Sequence, residues 1–163
     1  MSRAMTDSSD KAAELLDAVG WRLLHELQRD ARQSYTELSK RVGLTGPSVA
    51  ERMRRMEAAG LIRGYQAQVD RARLGYAMHA LVRIRAFAGR DRDIEHYAAE
   101  TPEVLECHEV TGGDSYVLKV GAASVRHLDR IITALAVFGA TQSTLILSTK
   151  VEGKPVEPPP DQA

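Results

Sequence analysis

The spacing of apolar residues changes once along this 163-residue chain, and that change limits the possible folds more than any other feature. Up to about residue 60, apolar side chains recur three or four positions apart, which is the period of an amphipathic helix: Leu16, Val19, Leu23 and Leu27. Further along, apolar residues occupy every second position, as in a half-buried strand: Ala80, Val82, Ile84 and Ala86. The chain is therefore predicted to be an α+β protein with a helical first part.

Three helices are predicted in that first part. The amphipathic stretch forms the first. The second begins at Ser34, which fits an S-x-x-E capping box with Glu37, and it ends before Gly43, where a sharp turn favours positive φ. The third follows Thr45, whose hydroxyl can cap the helix, and runs to Ala59. A tight turn that contains glycine thus joins the second helix to the third.

The second part is predicted to follow the order βαββαβ, which is that of a ferredoxin-like fold. The predicted elements are a strand over 77–87, a helix over 91–100, strands over 104–111 and 116–121, a helix over 124–137 and a strand over 144–151. The predicted boundaries are 11–62 for a helix-turn-helix domain, 63–75 for a linker or hinge strand, 76–152 for the ferredoxin-like domain and 153–163 for a flexible tail. The tail contains three consecutive prolines, which can join neither a helix nor a sheet.

Charge and composition exclude several classes of protein. The net charge is zero, but residues 32–63 carry seven Lys or Arg against three Asp or Glu, a local excess suited to phosphate. The single cysteine, Cys107, excludes an intrachain disulfide and a cysteine-based zinc finger. No apolar run is long enough to span a bilayer, and the polar N-terminus does not look like a secretory signal. A cytoplasmic protein with no membrane partner is expected.

No catalytic constellation is visible in the sequence. The five histidines lack the spacing of metal ligands, and no phosphate-binding glycine motif occurs. No two carboxylates are fixed by their spacing as an acid and base pair. We therefore expect no enzymatic activity, no metal and no cofactor.

The helix-turn-helix prediction depends on which residues face inward and which face outward. Leu38 and Val42 can pack the second helix on the third, and Leu44 can close the turn. The third helix then has an inward apolar face, made of Val49, Met53 and Met56. At 100° per residue, Ser48, Glu51, Arg52 and Arg55 lie on its outer face, with Arg54 on the flank. Two alternatives remain: an ordinary three-helix packing unit, and a solvated face with an ion pair between Glu51 and Arg55.

Outward arginines on such a helix are suited to guanine edges and to phosphates. Arg52 and Arg55 are the main candidates for contact with double-stranded DNA, and Ser48 is expected at bases or phosphates near the helix start. The remaining candidates lie on the flank of this helix or at the helix starts: Arg54, Thr45, Tyr35 and Thr36.

Several segments together resemble the leucine-responsive regulatory protein/AsnC family of prokaryotic transcription regulators. They are LDAVGWRLL at 16–24, DAR at 30–32, YTELSKRVGL at 35–44 and SVAERMRRMEAAGLI at 48–62. The resemblance continues through VTG at 110–112 to the last strand, covering roughly residues 15–152. It implies a winged-type helix-turn-helix, a hinge strand, a ferredoxin-like effector domain, homodimers that assemble further into tetramers or octamers, and control by amino acids.

The loop after the second strand is the candidate effector site. The family reads T-G-x-x-D-aromatic there, whereas this chain has serine before the aromatic and aspartate one position earlier. The glycines allow close backbone approach, the aspartate suits an ammonium group and the hydroxyls can hydrogen-bond a ligand. The loop candidates are Thr111, Gly112, Gly113, Asp114, Ser115 and Tyr116; the resemblance adds Thr141, Gln142 and Ser143. Alternatively, the glycines form only a tight turn.

The sequence therefore predicts a DNA-binding transcription regulator whose assembly or DNA affinity responds to a small molecule, with an amino acid as the expected effector. Two alternatives come from other classes. One is an amino-acid-binding regulatory subunit of an enzyme, which would have no use for an arginine-bearing third helix. The other is a nucleoid-type architectural protein, which would bind promoters and bulk DNA about equally.

Overall fold

The computed structural model describes residues 12–160. These residues contain two separate hydrophobic cores. Residues 12–67 and 151–160 form the first unit, which we call the helical unit. Residues 68–150 form the second, the sheet unit. The chain passes from the helical unit to the sheet unit between residues 67 and 68.

The helical unit contains the three predicted helices. Helix α1 is Ala18–Arg29, α2 is Tyr35–Val42 and α3 is Gly46–Ala58. Their buried faces meet in one core made of Leu23, Leu38, Val42, Val49 and Met53. These are the inward positions that the helical period predicts, so burial of this apolar surface holds the three helices together.

Local caps set the helix ends. The Ser34 hydroxyl accepts a hydrogen bond from the Glu37 N–H at 3.2 Å, and the Glu37 carboxylate accepts one from the Ser34 N–H at 2.8 Å. Together these bonds form the predicted capping box. Gly43 ends α2 with a φ of 73°, a left-handed conformation that favours glycine. The turn geometry between α2 and α3 is therefore determined locally.

The sheet unit has the order βαββαβ. Its elements are β1 (Met78–Ala86), α4 (Asp91–Glu100), β2 (Val104–Glu109), β3 (Tyr116–Ala122), α5 (Val125–Leu135) and β4 (Gly139–Ile146). The strands form one antiparallel sheet in the order β2-β3-β1-β4. The predicted ferredoxin-like fold is confirmed.

The two faces of this sheet have different surroundings. On one face, alternate residues of β1 and β3 pack with apolar residues of α4 and α5; this face is lined by Ala80, Val82, Ile84, Tyr116, Leu118, Val120 and Ala122. The other face, which we call the open face, carries the intervening residues His79, Leu81, Arg83 and Arg85 of β1. The helices of the sheet unit, α4 and α5, pack on the other face of the sheet and not on the open face.

The last strand differs from the prediction. The sequence analysis expected a strand over 144–151, whereas β4 is Gly139–Ile146 and pairs with β1. Gly139 lies so close to β1 that a Cβ there would overlap the Arg85 carbonyl oxygen. The apolar alternation continues past Ile146, but Ile146 pairs with His79 and β1 begins only one residue before that, at Met78. The strand ends where its partner ends.

Part of the C-terminal segment, which the sequence predicts to be a flexible tail, contacts α1. The side-chain amide of Gln28, at the end of α1, accepts a hydrogen bond from the Val156 N–H at 2.7 Å and donates one to the Val156 carbonyl at 3.1 Å. His25 and Glu157 lie 3.1 Å apart beside this contact. Prolines forbid a helix or an inner strand, but they leave the intervening N–H and C=O groups free to bind a side-chain amide.

Candidate functional site

The outer surface of α3 carries two exposed arginines. Arg54 and Arg55 both point into solvent, while the opposite side of the helix is buried through Val49, Met53 and Met56. The α3 N-terminus is capped by Thr45, whose hydroxyl accepts a hydrogen bond from the Ser48 N–H at 3.3 Å. An exposed, capped helix with guanidinium groups along one side can bind an anionic surface while its buried side stays packed in the core.

The two exposed arginines are not equivalent. Arg54 contacts Glu51 at 2.6 Å, one helical turn away, and this hydrogen bond lowers the pKa of the Glu51 carboxyl. The alternative ion pair considered from the sequence, Glu51 with Arg55, is not formed. Arg55 makes no hydrogen bond or ion pair within residues 12–160. Its guanidinium group is available to an outside partner.

Arg52 differs from the sequence expectation because it turns inward. Its guanidinium group pairs with Asp17 and donates a hydrogen bond to the Leu15 carbonyl at 3.3 Å. The Arg52 side chain is only 21% exposed, and its Nε is buried without a partner among residues 12–160. Asp17 also caps α1 by accepting from the Gly20 N–H at 2.8 Å; this bond, with a contribution from Arg52, lowers the pKa of the Asp17 carboxyl. Arg52 thus ties α3 to the start of α1.

The remaining DNA candidates lie at helix starts. Tyr35 and Thr36 begin α2, and both are exposed. The Thr45 and Ser48 hydroxyls are hydrogen-bonded to each other at 2.8 Å at the start of α3. These residues therefore lie at two helix N-termini, where backbone N–H groups favour anions such as phosphate.

The predicted effector loop is fastened to the end of β1 by three hydrogen bonds. The Ser115 N–H donates to the Ile84 carbonyl at 2.8 Å, and the Ala86 N–H donates to the Ser115 hydroxyl at 3.1 Å. Arg85 Nε donates to the Gly113 carbonyl at 2.7 Å. The serine that departs from the family pattern therefore accepts a bond that continues the β1–β3 ladder. Asp114 makes no such bond and is half-buried.

The loop candidates and the β4 candidates lie at the same end of the sheet, on either side of the end of β1, but they do not share one face. Gln142 pairs with Arg83 and lies on the open face. Thr141 and Ser143 pair with Ile84 and Val82, so they lie on the helix side.

Tyr116 differs from its expected place in a ligand-binding loop. It is a core residue, 3% exposed, and its hydroxyl donates a hydrogen bond to Glu95 of α4 at 3.1 Å. Burial, together with this bond to a carboxylate, raises the pKa of Tyr116 to about 12. Its aromatic ring therefore packs the loop onto the core, whereas Thr111, Gly112 and Gly113 are exposed.

Arg85, near the end of β1 and beside this loop, is a candidate site residue that the sequence analysis did not select. Its side chain is exposed, and it reaches the loop from β1. A signal was present in the sequence: Arg83 and Arg85 alternate with Val82 and Ile84, so both arginines belong on the side away from the core. Contact with a loop 28 residues further along the chain, however, depends on the β1–β3 pairing.

Two family models match the chain. The model of the AsnC-type helix-turn-helix domain matches residues 16–57, and that of the Lrp/AsnC ligand binding domain matches residues 79–156. The chain belongs to the Lrp/AsnC family. The Lrp/AsnC resemblance expected from the sequence is therefore confirmed.

Named Lrp/AsnC relatives agree with this assignment. The proline dehydrogenase transcriptional activator of Rhodobacter capsulatus is 38% identical over 146 residues, which are 85% of this chain and 95% of that protein. The leucine-responsive regulatory protein of Salmonella typhimurium is 38% identical over 118 residues, 71% of this chain and 72% of that protein. A feast or famine regulatory protein from M. tuberculosis, solved in complex with L-methionine, superposes with a TM-score of 0.80 at 32% identity, covering 88% of this chain and 99% of that one.

As a member of the Lrp/AsnC family, the protein is a transcriptional regulator with a DNA-binding helix-turn-helix domain and a ligand-binding domain. Helices α2 and α3 form the helix-turn-helix, and the sheet unit makes up most of the ligand-binding domain. Among residues 12–160, no helix is both long enough and apolar enough to cross a membrane.

Proposed function

We propose that this Lrp/AsnC protein is a sequence-specific transcriptional regulator of the cytoplasm whose DNA affinity or assembly responds to an amino acid. The observation that carries the proposal is the outer surface of α3. Its buried side completes the core, while Arg55 on the outer side has no partner among the described residues. An exposed guanidinium group on the second helix of a helix-turn-helix is suited to a phosphate or a guanine edge.

The proposed DNA contacts follow from this surface. Arg55 reads a base edge or grips a phosphate, Arg54 contacts the backbone, and Ser48 and Thr45 face the groove at the start of α3. Tyr35 and Thr36 contact phosphates from the start of α2. Arg52 has a different part: it holds α3 against the start of α1 and so sets the angle at which the outer residues meet DNA.

The proposed effector is a free amino acid bound at the loop of residues 111–115 and the open-face side of β4. An α-amino acid needs donors for its carboxylate and acceptors for its ammonium group, and the loop with the neighbouring strand residues supplies both. The M. tuberculosis relative was solved with L-methionine, and the R. capsulatus relative is named a proline dehydrogenase transcriptional activator. Both names support amino acids as the effector class.

The proposed assembly is at least a homodimer through residues 76–151, with further association into tetramers or octamers as the family resemblance implies. The open face of the sheet supports this: Leu81 and Val117 are apolar and only half-buried there. A second sheet would cover these groups. A two-fold assembly would also let two α3 helices reach half-sites about 34 Å apart or at multiples of that distance.

The experiment that tests the proposed function is a mobility-shift titration on DNA from upstream of the protein's own gene, with and without each of the twenty amino acids. We expect a specific complex that competitor DNA of unrelated sequence does not displace, and a shift in its affinity or stoichiometry with at least one amino acid. Equal affinity for promoter and bulk DNA, with no amino-acid effect, would indicate an architectural protein instead. No DNA binding at all, with an amino acid still bound, would favour a regulatory subunit.

A matched measurement addresses the assembly. Light scattering on the full chain at micromolar concentration is expected to give at least the mass of a dimer. A monomer would contradict the proposed use of the open face. A tetramer or octamer whose size changes with an amino acid would connect the effector to assembly.

A further inference from the structure

Arg85 offers a cation beside a loop that otherwise offers an anion. We propose that the guanidinium group of Arg85 binds the carboxylate of the effector, while Asp114 binds its ammonium group. This inference rests on the proposed function, since it names the side chain that recognises the amino-acid effector. It also restricts the ligand class to molecules with a free carboxylate.

The hydrogen bonding of Arg85 leaves a donor fork free. Nε is used by the Gly113 carbonyl at 2.7 Å, which fixes the plane of the guanidinium group at the edge of the loop. Neither terminal nitrogen makes a hydrogen bond within the described residues, and the side chain is exposed. Two N–H donors in a fixed plane match the two oxygens of a carboxylate.

Arg85 of β1 reaches the loop next to Asp114, but the two side chains do not pair with each other. Arg85 is bonded to Gly113, the residue that directly precedes Asp114, yet no ion pair of 4 Å or less joins the two side chains. Asp114 has no hydrogen-bond partner among residues 12–160. Two opposite charges held near one glycine and not paired are suited to a zwitterion, whose own charges lie a few bonds apart.

The neighbouring polar groups are less suited to the carboxylate. The Ser115 hydroxyl accepts the Ala86 N–H and has a single O–H left to donate, fewer donors than a guanidinium group offers, while the Gly113 carbonyl is an acceptor that would repel an anion. Gln142 lies on the same open face, opposite Arg83, and is placed for the effector side chain. Arg85 is the only cation that hydrogen-bonds to the loop in the described part of the chain.

Gly113 provides a second probe of this arrangement. A Cβ built at Gly113 would lie 3.4 Å from an Nη of Arg85, an ordinary van der Waals contact that leaves the backbone undisturbed. Gly113→Ala should therefore keep the loop folded while placing a methyl group where the carboxylate approaches.

The test is calorimetry on the full chain with the amino acid that binds most tightly and with its α-carboxamide, which keeps the ammonium group and side chain but has no negative charge. We expect wild type to prefer the amino acid, and Arg85→Gln to bind it at least about tenfold more weakly. The carboxamide should bind wild type and Arg85→Gln about equally. Arg126→Gln, which removes a charge from the exposed side of α5, is the matched control and should bind as wild type does.

The carboxylate-to-carboxamide ratio separates recognition from a structural role. If Arg85 only holds the loop, Arg85→Gln weakens both ligands by the same factor, and the proposal is overturned. Equal amino-acid affinity in wild type and Arg85→Gln overturns it too, while the proposed function stands because an amino acid still binds. If wild type binds no amino acid at millimolar concentration, the amino-acid part of the proposed function fails together with this inference.

Discussion

Arg52 and Arg55 of α3 have opposite surroundings, because Arg52 turns inward and Arg55 is exposed. This difference gives a prediction at the scale of single residues. Arg55→Ala should weaken specific DNA binding by about 1–3 kcal/mol if it reads a base. If it meets only phosphate, the loss should be the same on all sequences and the salt slope should fall by about one. The free energy of unfolding of the Arg55→Ala variant should differ from that of wild type by less than about 0.5 kcal/mol, because the Arg55 side chain is exposed and makes no ion pair among the described residues.

Arg52→Ala should behave in the opposite way. Loss of the contacts to Asp17 and the Leu15 carbonyl should lower the free energy of unfolding by on the order of 1–3 kcal/mol, since the Leu15 carbonyl and the start of α1 lose their partner. Trp21, the single tryptophan of the chain, lies in α1 and reports this unfolding by fluorescence. Equal stability of Arg52→Ala and wild type would contradict the inward role.

The Asp17 carboxyl connects the same contact to pH. Its pKa in the folded protein lies below the ordinary value, first because the Gly20 N–H bonds to it and then because Arg52 is near. A depressed pKa stabilises the fold above the unfolded pKa of about 4, and that contribution is lost as pH falls through the folded pKa. Asp17→Asn keeps the helix cap without the charge. Wild type should therefore exceed Asp17→Asn in stability by at most about 1 kcal/mol at neutral pH, and the difference should shrink as pH falls below about 4 toward the lowered folded-state pKa.

Urea unfolding followed by Trp21 fluorescence measures this difference, and comparison at each pH cancels the groups that both proteins share. A difference that stays constant from pH 6 down to the lowest pH at which both proteins fold would show that the charge of Asp17 contributes nothing to stability.

At the scale of elements, the pairing of β4 with β1 depends on one close approach. A Cβ at Gly139 would overlap the Arg85 carbonyl and lie 2.8 Å from an Ile84 methyl carbon, so backbone would have to move. Gly139→Ala should destabilise the sheet unit by about 1–3 kcal/mol. Gly121 of β3 is the matched control, because a Cβ there meets only side-chain atoms at 3.5 Å or more.

Thermal unfolding followed by far-ultraviolet circular dichroism compares the two variants. We expect a lower Tm for Gly139→Ala than for Gly121→Ala, and the reverse order would contradict the assigned approach of the two strands. Because Gly139 contacts the same residues that carry the effector loop, the variant should also weaken any effector that binds there.

At the scale of the whole molecule, the chain leaves the helical unit after residue 67 and returns to it at residue 151. The return is held by two hydrogen bonds between the Gln28 amide and the Val156 backbone. Gln28→Ala should expose the Val156 amide to hydrogen exchange and lower the stability of the helical unit by about 1 kcal/mol. Arg29→Ala, at the neighbouring exposed position, should change neither. An unprotected Val156 amide in the wild-type protein would contradict the contact.

Much of the fold could be predicted because the signals are local. A capping box acts over three residues, a glycine turn over one, and apolar periodicity over one face of one element. Ser34, Gly43 and Thr45 therefore marked the helix ends, and the inward residues of α2 and α3 followed from helical geometry. The order βαββαβ followed in the same way, although the bounds of β4 did not, since a strand ends where its partner ends.

The sequence by itself determined the two-part architecture and the positions of the helix-turn-helix and of the loop at residues 111–115. Tertiary structure alone decided how individual polar groups in those places are used. Arg52 turns inward because Asp17 and the Leu15 carbonyl lie within its reach, and Arg85 meets Gly113 because β1 pairs with β3. A long side chain on a surface has several rotamers of similar energy, and partners distant in sequence choose among them.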